Sequence, residues 1–172
     1  SNFESTDARP CRSVLFGHTL FHLFFPKTTE LPIEGIDVLL TEGAVKAIAD
    51  LKPLKIVQVY VNSPLHWGVY CGAESKLLTL EGLAKPSFCI SRYGSGSHLM
   101  AYRLCQREGW SMAQVEFIEV SNFSGALKEF NQNPDRLFLW ERFMTKPYVD
   151  SGTLKKIDEI PTPWASFSIV VH

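Results

Sequence analysis

From Gly35 onward the apolar positions of the chain switch repeatedly between a period of two and a period near 3.6. Short runs rich in β-branched and aromatic residues at 36–40, 55–62 and 67–71 predict strands. Between the first two, residues 42–51 carry Ala44, Val45, Ile48 and Ala49 at helical spacing, with Thr41 placed to cap them. Residues 79–83 read as one short helical turn. Three β-then-α units follow. A strand at 87–91 leads to a helix at 97–108, capped by Ser97 and closed by Gly109. A strand at 115–120 leads to a helix at 122–131 with Phe123, Ala126, Leu127 and Phe130 on one face. A strand at 136–140 leads to a short helix at about 141–149. A further strand near 154–159 precedes a stiff segment, Pro161, Thr162, Pro163 and Trp164, and residues 166–171 read as a last strand. Residues 1–34 share no such pattern: they are polar, then Phe-rich, then Pro-containing, with an amphipathic stretch around 14–25 compatible with burial.

Alternating β and α elements with short connections predict an α/β fold, with a parallel or mostly parallel sheet and helices on both faces. Ligands of such sheets bind outside the carboxyl ends of the strands. The loop at 92–96 lies at such an end, as do Thr41-Glu42-Gly43, Ser121-Asn122 and Trp140-Glu141, so four loops are expected to converge on one crevice. The stretch Arg92, Tyr93, Gly94, Ser95, Gly96 and Ser97 brings backbone N–H groups and hydroxyls to a helix N-terminus, a setting for an anionic or strongly polar ligand. An ordinary tight turn accounts for the same residues equally well, Gly94 and Gly96 supplying positive φ and Ser97 the cap. Arg92 suits a carboxylate, phosphate or sulfonate, or is a surface charge. Trp140 and Glu141 read either as an aromatic wall and polar anchor or as a core ring and a helix-dipole carboxylate, and Glu42 has the same two readings.

Several chemistries are excluded by spacing. A dinucleotide fingerprint would need glycine at Leu99, no Gly-Lys-Ser/Thr follows the loop, and Ser95 lacks the flanking glycines of a nucleophile elbow. Ser97 and His98 are adjacent and so point apart on a helix. No catalytic residue, metal or cofactor is assigned. Net charge is −1 without a Lys/Arg cluster, which argues against nucleic acid as a partner. The longest apolar run, near residues 20–26, is too short to insert in a membrane. His18 and His22 interrupt the one stretch with signal-like character, so the expected location is cytoplasmic, with the periplasm left open for a processed N-terminus. Cys11, Cys71, Cys89 and Cys105 lack metal-ligand spacing; Cys89 and Cys105 fall on apolar sides and read as buried free thiols, which favours a reducing compartment. His18 and His22 stand four apart without a third ligand nearby.

The stretch 90–102, ISRYGSGSHLMAY, preceded by 80–86, LEGLAKP, resembles the second lobe of a type II periplasmic-binding-protein domain. Residues 136–143, RLFLWERF, are similar to that family's strand ending in Trp and an acidic residue, and 37–43, DVLLTEG, to its first-lobe loop. The branch most resembled is that of the sulfonate, nitrate and thiamine-pyrimidine-precursor binders, with an uncharacterised group of bacterial and fungal relatives. The resemblance implies two lobes, each a mostly parallel sheet flanked by helices, closing by a hinge on a small ligand, with the first lobe shortened here. It implies an atypical segment at 1–34, a partial first lobe at 35–70, a second lobe at 71–160 and a return crossover at 161–172. Carried onto matching positions, it implies ligand contacts from Thr41, Glu42, Asn62, Ser63, Ser95, Gly96, Ser97, Trp140 and Glu141, to which Arg92 is added from its own chemistry. The function implied is non-catalytic binding of an anionic or heterocyclic solute between the lobes, as in the substrate-binding components of ABC transporters. The alternatives are an enzyme of the thiamine-pyrimidine synthase type, using His66 or His98 as a substrate, or an interaction or regulatory remnant. Self-association is expected to cover an apolar sheet face left by the short lobe.

Overall fold

The computed structural model describes residues 35–171, which divide into two compact units. The expected segment at 14–25, Cys11 and the His18/His22 pair lie outside the described residues.

The smaller unit contains β1 (Ile36–Leu40), α1 (Thr41–Ala49), β2 (Lys55–Val61) and β8 (Phe167–Val171). Its sheet runs β1-β8-β2, and both pairings are antiparallel. β1 and β2 therefore point the same way with the returning strand between them. Ala44, Leu54 and Val170 form its core, and Leu39 packs on them. The expected apolar stripe of α1 goes inside only at Ala44; Val45 and Ile48 are exposed. Thr41 is not the cap. Leu40 holds that position, and the Thr41 hydroxyl lies 2.9 Å from that of Ser168 on β8, because the helix follows β1 without a connecting residue.

The larger unit, Ser63–Ser166, contains β3 (His66–Gly72), β4 (Ser87–Ile90), α2 (Gly96–Glu108), β5 (Glu116–Glu119), α3 (Phe123–Phe130), β6 (Leu137–Glu141), α4 (Arg142–Asp150) and β7 (Leu154–Pro161). The sheet order is β5-β4-β6-β3-β7. β4 pairs in parallel with β5 and β6, whereas β3 pairs antiparallel with β6 and β7. β3 alone thus runs against the rest. It lies between β6 and β7, so Trp67–Cys71 falls in the larger unit, which runs from Ser63 to Ser166 where the sequence placed a second lobe at 71–160. The chain enters and leaves the unit side by side: Ser166 N–H donates to Ser63 O at 3.1 Å, and Leu65 N–H to Thr162 Oγ1 at 3.0 Å.

Helices cover both faces of this sheet. On one, Met100, Ala101, Leu104 and Cys105 of α2 pack against Trp67, Val69, Phe88, Ile90, Leu137 and Leu139. On the other, the Phe138 and Trp140 rings meet Phe123 of α3, which in turn meets Tyr148 of α4. Burial on both sides explains why β4 and β6 read as continuous apolar runs rather than alternating ones. Gly109 closes α2 in the left-handed conformation at φ 70°, as its position predicts. Residues 79–83 form a turn closed by Leu83 N–H to Leu80 O, not a helical turn.

Candidate binding site at the carboxyl edge of the larger sheet

β4, β5 and β6 are parallel, so the segments that follow them emerge at one edge of the sheet. That edge carries 91–97 after β4, 120–122 after β5 and Trp140, Glu141 and Arg142 at the end of β6. β3 runs the other way and brings its first residues, His66 and Trp67, to the same edge, where Trp67 sits opposite Glu141. Of the expected site residues, Arg92, Ser95, Gly96, Ser97, Trp140 and Glu141 are therefore gathered here. Ser63 begins the larger unit and is exposed. Thr41, Glu42 and Asn62 belong to the smaller unit.

The turn at 91–97 is built around three buried hydroxyls. Ser97 Oγ accepts from Ser91 N–H at 2.9 Å and lies 3.2 Å from Ser91 Oγ and 3.0 Å from Ser95 Oγ. Ser95 Oγ donates to Arg92 O at 2.6 Å and accepts from His98 N–H at 3.4 Å. Ser95, not Ser97, is thus the cap of α2. Gly94 alone takes a positive φ, +75°, while Gly96 is the first helical residue. The expected cap at Ser97 is displaced because its hydroxyl is held by the end of β4 instead. These hydroxyls hold the turn together. Gly96 and Ser97, both buried, are the first two residues of the helix, so their amides have no intrahelical acceptor.

Arg92 is half-buried; burial pulls its guanidinium below the ordinary value and the charge of Glu119 opposes that. Glu141 caps α4, its carboxylate accepting from Phe143 N–H at 3.0 Å and Met144 N–H at 2.9 Å. Trp140 is buried, stacked on Phe138 at 5.0 Å and edge-on to Trp67 at 6.4 Å. The Glu141 carboxylate is thus engaged by the first turn of α4 and the Trp140 ring by the aromatic packing beneath the edge. Trp67 Nε1 is buried without a hydrogen-bond partner among the described residues.

One residue of this site, Ser91, was not singled out from the sequence, where it is a lone hydroxyl ending a buried strand. His98, named from the sequence beside the loop, accepts from Gly94 N–H through Nδ1 at 3.0 Å. The thiols of the described residues offer no nucleophile: burial pushes Cys89 up to about 12 and Cys105 up to about 11, and raises Cys71. No group of ligating side chains fit for a metal occurs among the described residues, and none of their helices is long and apolar enough to cross a membrane.

The family described as Ca3427-like PBP matches residues 67–160, the strands and helices that make this edge. A solved structure of the Candida albicans CA3427 gene product, described as defining a new family with the generic periplasmic-binding-protein fold, is 31% identical. It superposes with a TM-score of 0.68 over 79% of this chain and 45% of that one. The aliphatic sulphonate binding protein SsuA of Escherichia coli shares the fold at 14% identity, with a TM-score of 0.65 over 89% of this chain and 50% of its own. The alkanesulfonate-binding SsuA of Xanthomonas axonopodis pv. citri, solved with MOPS, does so at 14% identity, with a TM-score of 0.64 over 79% and 47%. The chain thus spans about half the length of these relatives. No curated protein matches it. The fold is the solute-binding α/β architecture expected from 80–102 and 136–143, and the chain belongs to the Ca3427-like family of periplasmic-binding-protein-fold proteins.

Proposed function

We propose that the larger unit binds a small anionic solute, without transforming it, at the carboxyl edge of its sheet. One observation carries this reading. The serine-locked turn presents the Gly96 and Ser97 amides at the positive end of a 13-residue helix, with Arg92 in the same turn. A sulfonate, phosphate or carboxylate accepts from such amides and gains from the helix dipole, and a guanidinium adds charge-assisted hydrogen bonds. An anionic heterocycle satisfies the same donors. The alkanesulfonate named for the Xanthomonas relative supports a sulfonate as the first probe. The reading is one of binding because this turn offers amide donors and a cation to an anion, while the Glu141 carboxylate at the same edge is taken up as the cap of α4. The three buried, unpaired thiols support a reducing compartment as its location.

The test is calorimetric titration of the full chain with MOPS, with native mass spectrometry to identify any co-purified molecule. Binding that weakens about tenfold or more in Arg92→Gln, the loss of one charge-assisted contact, supports the site. Absence of binding to MOPS, phosphate and a carboxylated pyrimidine, with no co-purified molecule, overturns it.

A further inference from the structure

We infer that His98 is the positioning residue of this turn: its neutral imidazole holds Gly94 through Nδ1, and with it the amides offered to the ligand. The consequence for binding rests on the function proposed above; the geometry of the turn does not.

His98 ties the turn twice. Its backbone N–H donates to Ser95 Oγ, and its Nδ1 accepts from Gly94 N–H at 3.0 Å. Gly94 is the positive-φ residue on which the chain reverses before the helix, so fixing its amide fixes the entry to α2. The ring is held in turn. It lies edge-on to Tyr93 at 5.1 Å, tilted against Tyr102 at 4.6 Å and perpendicular to Phe117 of β5 at 4.7 Å. Nε2 is buried without a hydrogen-bond partner among the described residues.

An Nδ1 that accepts must be unprotonated, which fixes the neutral Nε2–H tautomer. Protonation would place a second N–H against that of Gly94 and a charge among three aromatic rings. The groups facing the imidazole are the phenols of Tyr93 and Tyr102 and the Phe117 ring. Glu119, which shares the Phe117 face of β5, acts on Arg92. No carboxylate among the described residues offsets the charge, and burial lowers the basicity of His98 from the ordinary 6.5. The sign follows. The Gly94 tie is complete above the ordinary histidine value and is lost as pH falls through the lowered one.

The experiment is amide hydrogen exchange of Gly94 by NMR in the full chain, from about pH 8 to about pH 5, where a histidine changes charge, in wild type, His98→Asn and His98→Phe. Asparagine keeps an acceptor near the Nδ1 position and does not titrate; phenylalanine keeps the ring and removes the acceptor. Wild type should lose about fivefold to tenfold protection, beyond the intrinsic pH effect, as His98 protonates. His98→Asn should stay protected throughout and His98→Phe should be unprotected throughout, with MOPS affinity following Gly94 protection in each. Equal protection in wild type and His98→Phe, or protonation of His98 without a change at Gly94, overturns the inference. Protection that titrates while no variant binds MOPS at any pH upholds the His98 tie and sinks the ligand reading instead. MOPS affinity that ignores a titrating Gly94 overturns the coupling to binding.

Discussion

Tyr70 lies across Gly68 so closely that a methyl group on Gly68 would meet the Tyr70 hydroxyl oxygen at 2.0 Å. The two stand two apart on β3 and so share a face of the sheet. The phenol runs back over the glycine and pairs with the hydroxyl of Thr145 on α4. Gly68 is thus the seat of a ring that joins β3 to a covering helix, and Trp140 sits directly opposite it on β6. Gly68→Ala should unseat that ring and cost about 1–3 kcal/mol, as overpacking of a well-filled interior does. Tyr70→Phe keeps the ring and should cost about 1 kcal/mol for the lost hydrogen bond. Urea unfolding midpoints decide the matter: an unchanged midpoint for Gly68→Ala would show that the ring moves aside freely.

Gly125 presents the harder version of the same constraint. A Cβ there would meet the carbonyl oxygen of Val120 at 1.8 Å, and backbone cannot rotate away as a side chain can. The constraint comes from the turn before α3. Asn122 N–H donates to Val120 O at 2.8 Å, Asn122 Oδ1 accepts from Gly125 N–H at 3.0 Å, and Ser121 takes φ +66°. Gly125→Ala should therefore lower thermal stability more than Gly68→Ala. Ser121→Gly should be neutral or stabilise by up to about 1 kcal/mol, because it relieves a left-handed conformation. A Gly125→Ala chain melting with wild type would mean that the turn at 120–122 relaxes without loss.

Ser97 is costlier to remove than a ligand contact alone would be. Its Oγ is the acceptor for Ser91 N–H, and both residues are buried. Ser97→Ala leaves that amide without its partner in the interior, a loss of about 1–3 kcal/mol. The expected outcome is a lowered urea midpoint together with weakened MOPS binding. Ser97→Thr retains the hydroxyl and should recover part of both if the added methyl is accommodated. Full stability in Ser97→Ala would show that water or another acceptor replaces the hydroxyl.

The strands and helices from Gly35 onward were legible because their apolar periods are strong: β4 is buried from Phe88 to Ile90 and α2 ends where Gly109 stands. Strand direction was not. Nothing local in Trp67, Val69 and Tyr70 tells whether their neighbours run with or against them, and the place of β3 between β6 and β7 is set by where the chain enters and leaves its unit. Capping failed in an instructive way. Thr41 and Ser97 both have cap chemistry, but Thr41 spends its hydroxyl on Ser168 of β8 and Ser97 on Ser91 just after β4, and the capping position lies one or two residues earlier. The site was legible as a loop and not as a set of contacts, because spacing does not show which way a serine hydroxyl turns.

Glu159, near the end of β7, ties that strand to His66 of β3 and Arg142 of α4 and makes the stability of the larger unit depend on acid. Oε1 lies 2.6 Å from His66 Nδ1 and 3.0 Å from Arg142 Nη1, and Oε2 pairs with Lys156. Burial by itself would raise this carboxyl. The hydrogen bonds from Lys156 and His66 and the charges of Lys156 and Arg142 outweigh it, so the group lies below its ordinary 4.5. A carboxyl lowered in the folded state contributes stability that is complete above its unfolded value and disappears as pH falls through the folded one. Between those values wild type should lose stability on acidification more steeply than Glu159→Gln, which has no carboxylate to protonate. Above them the variant should be the less stable of the two. Urea midpoints of both proteins measured across that interval test this: parallel curves would show that the three basic partners contribute nothing beyond solvent-screened surface pairs.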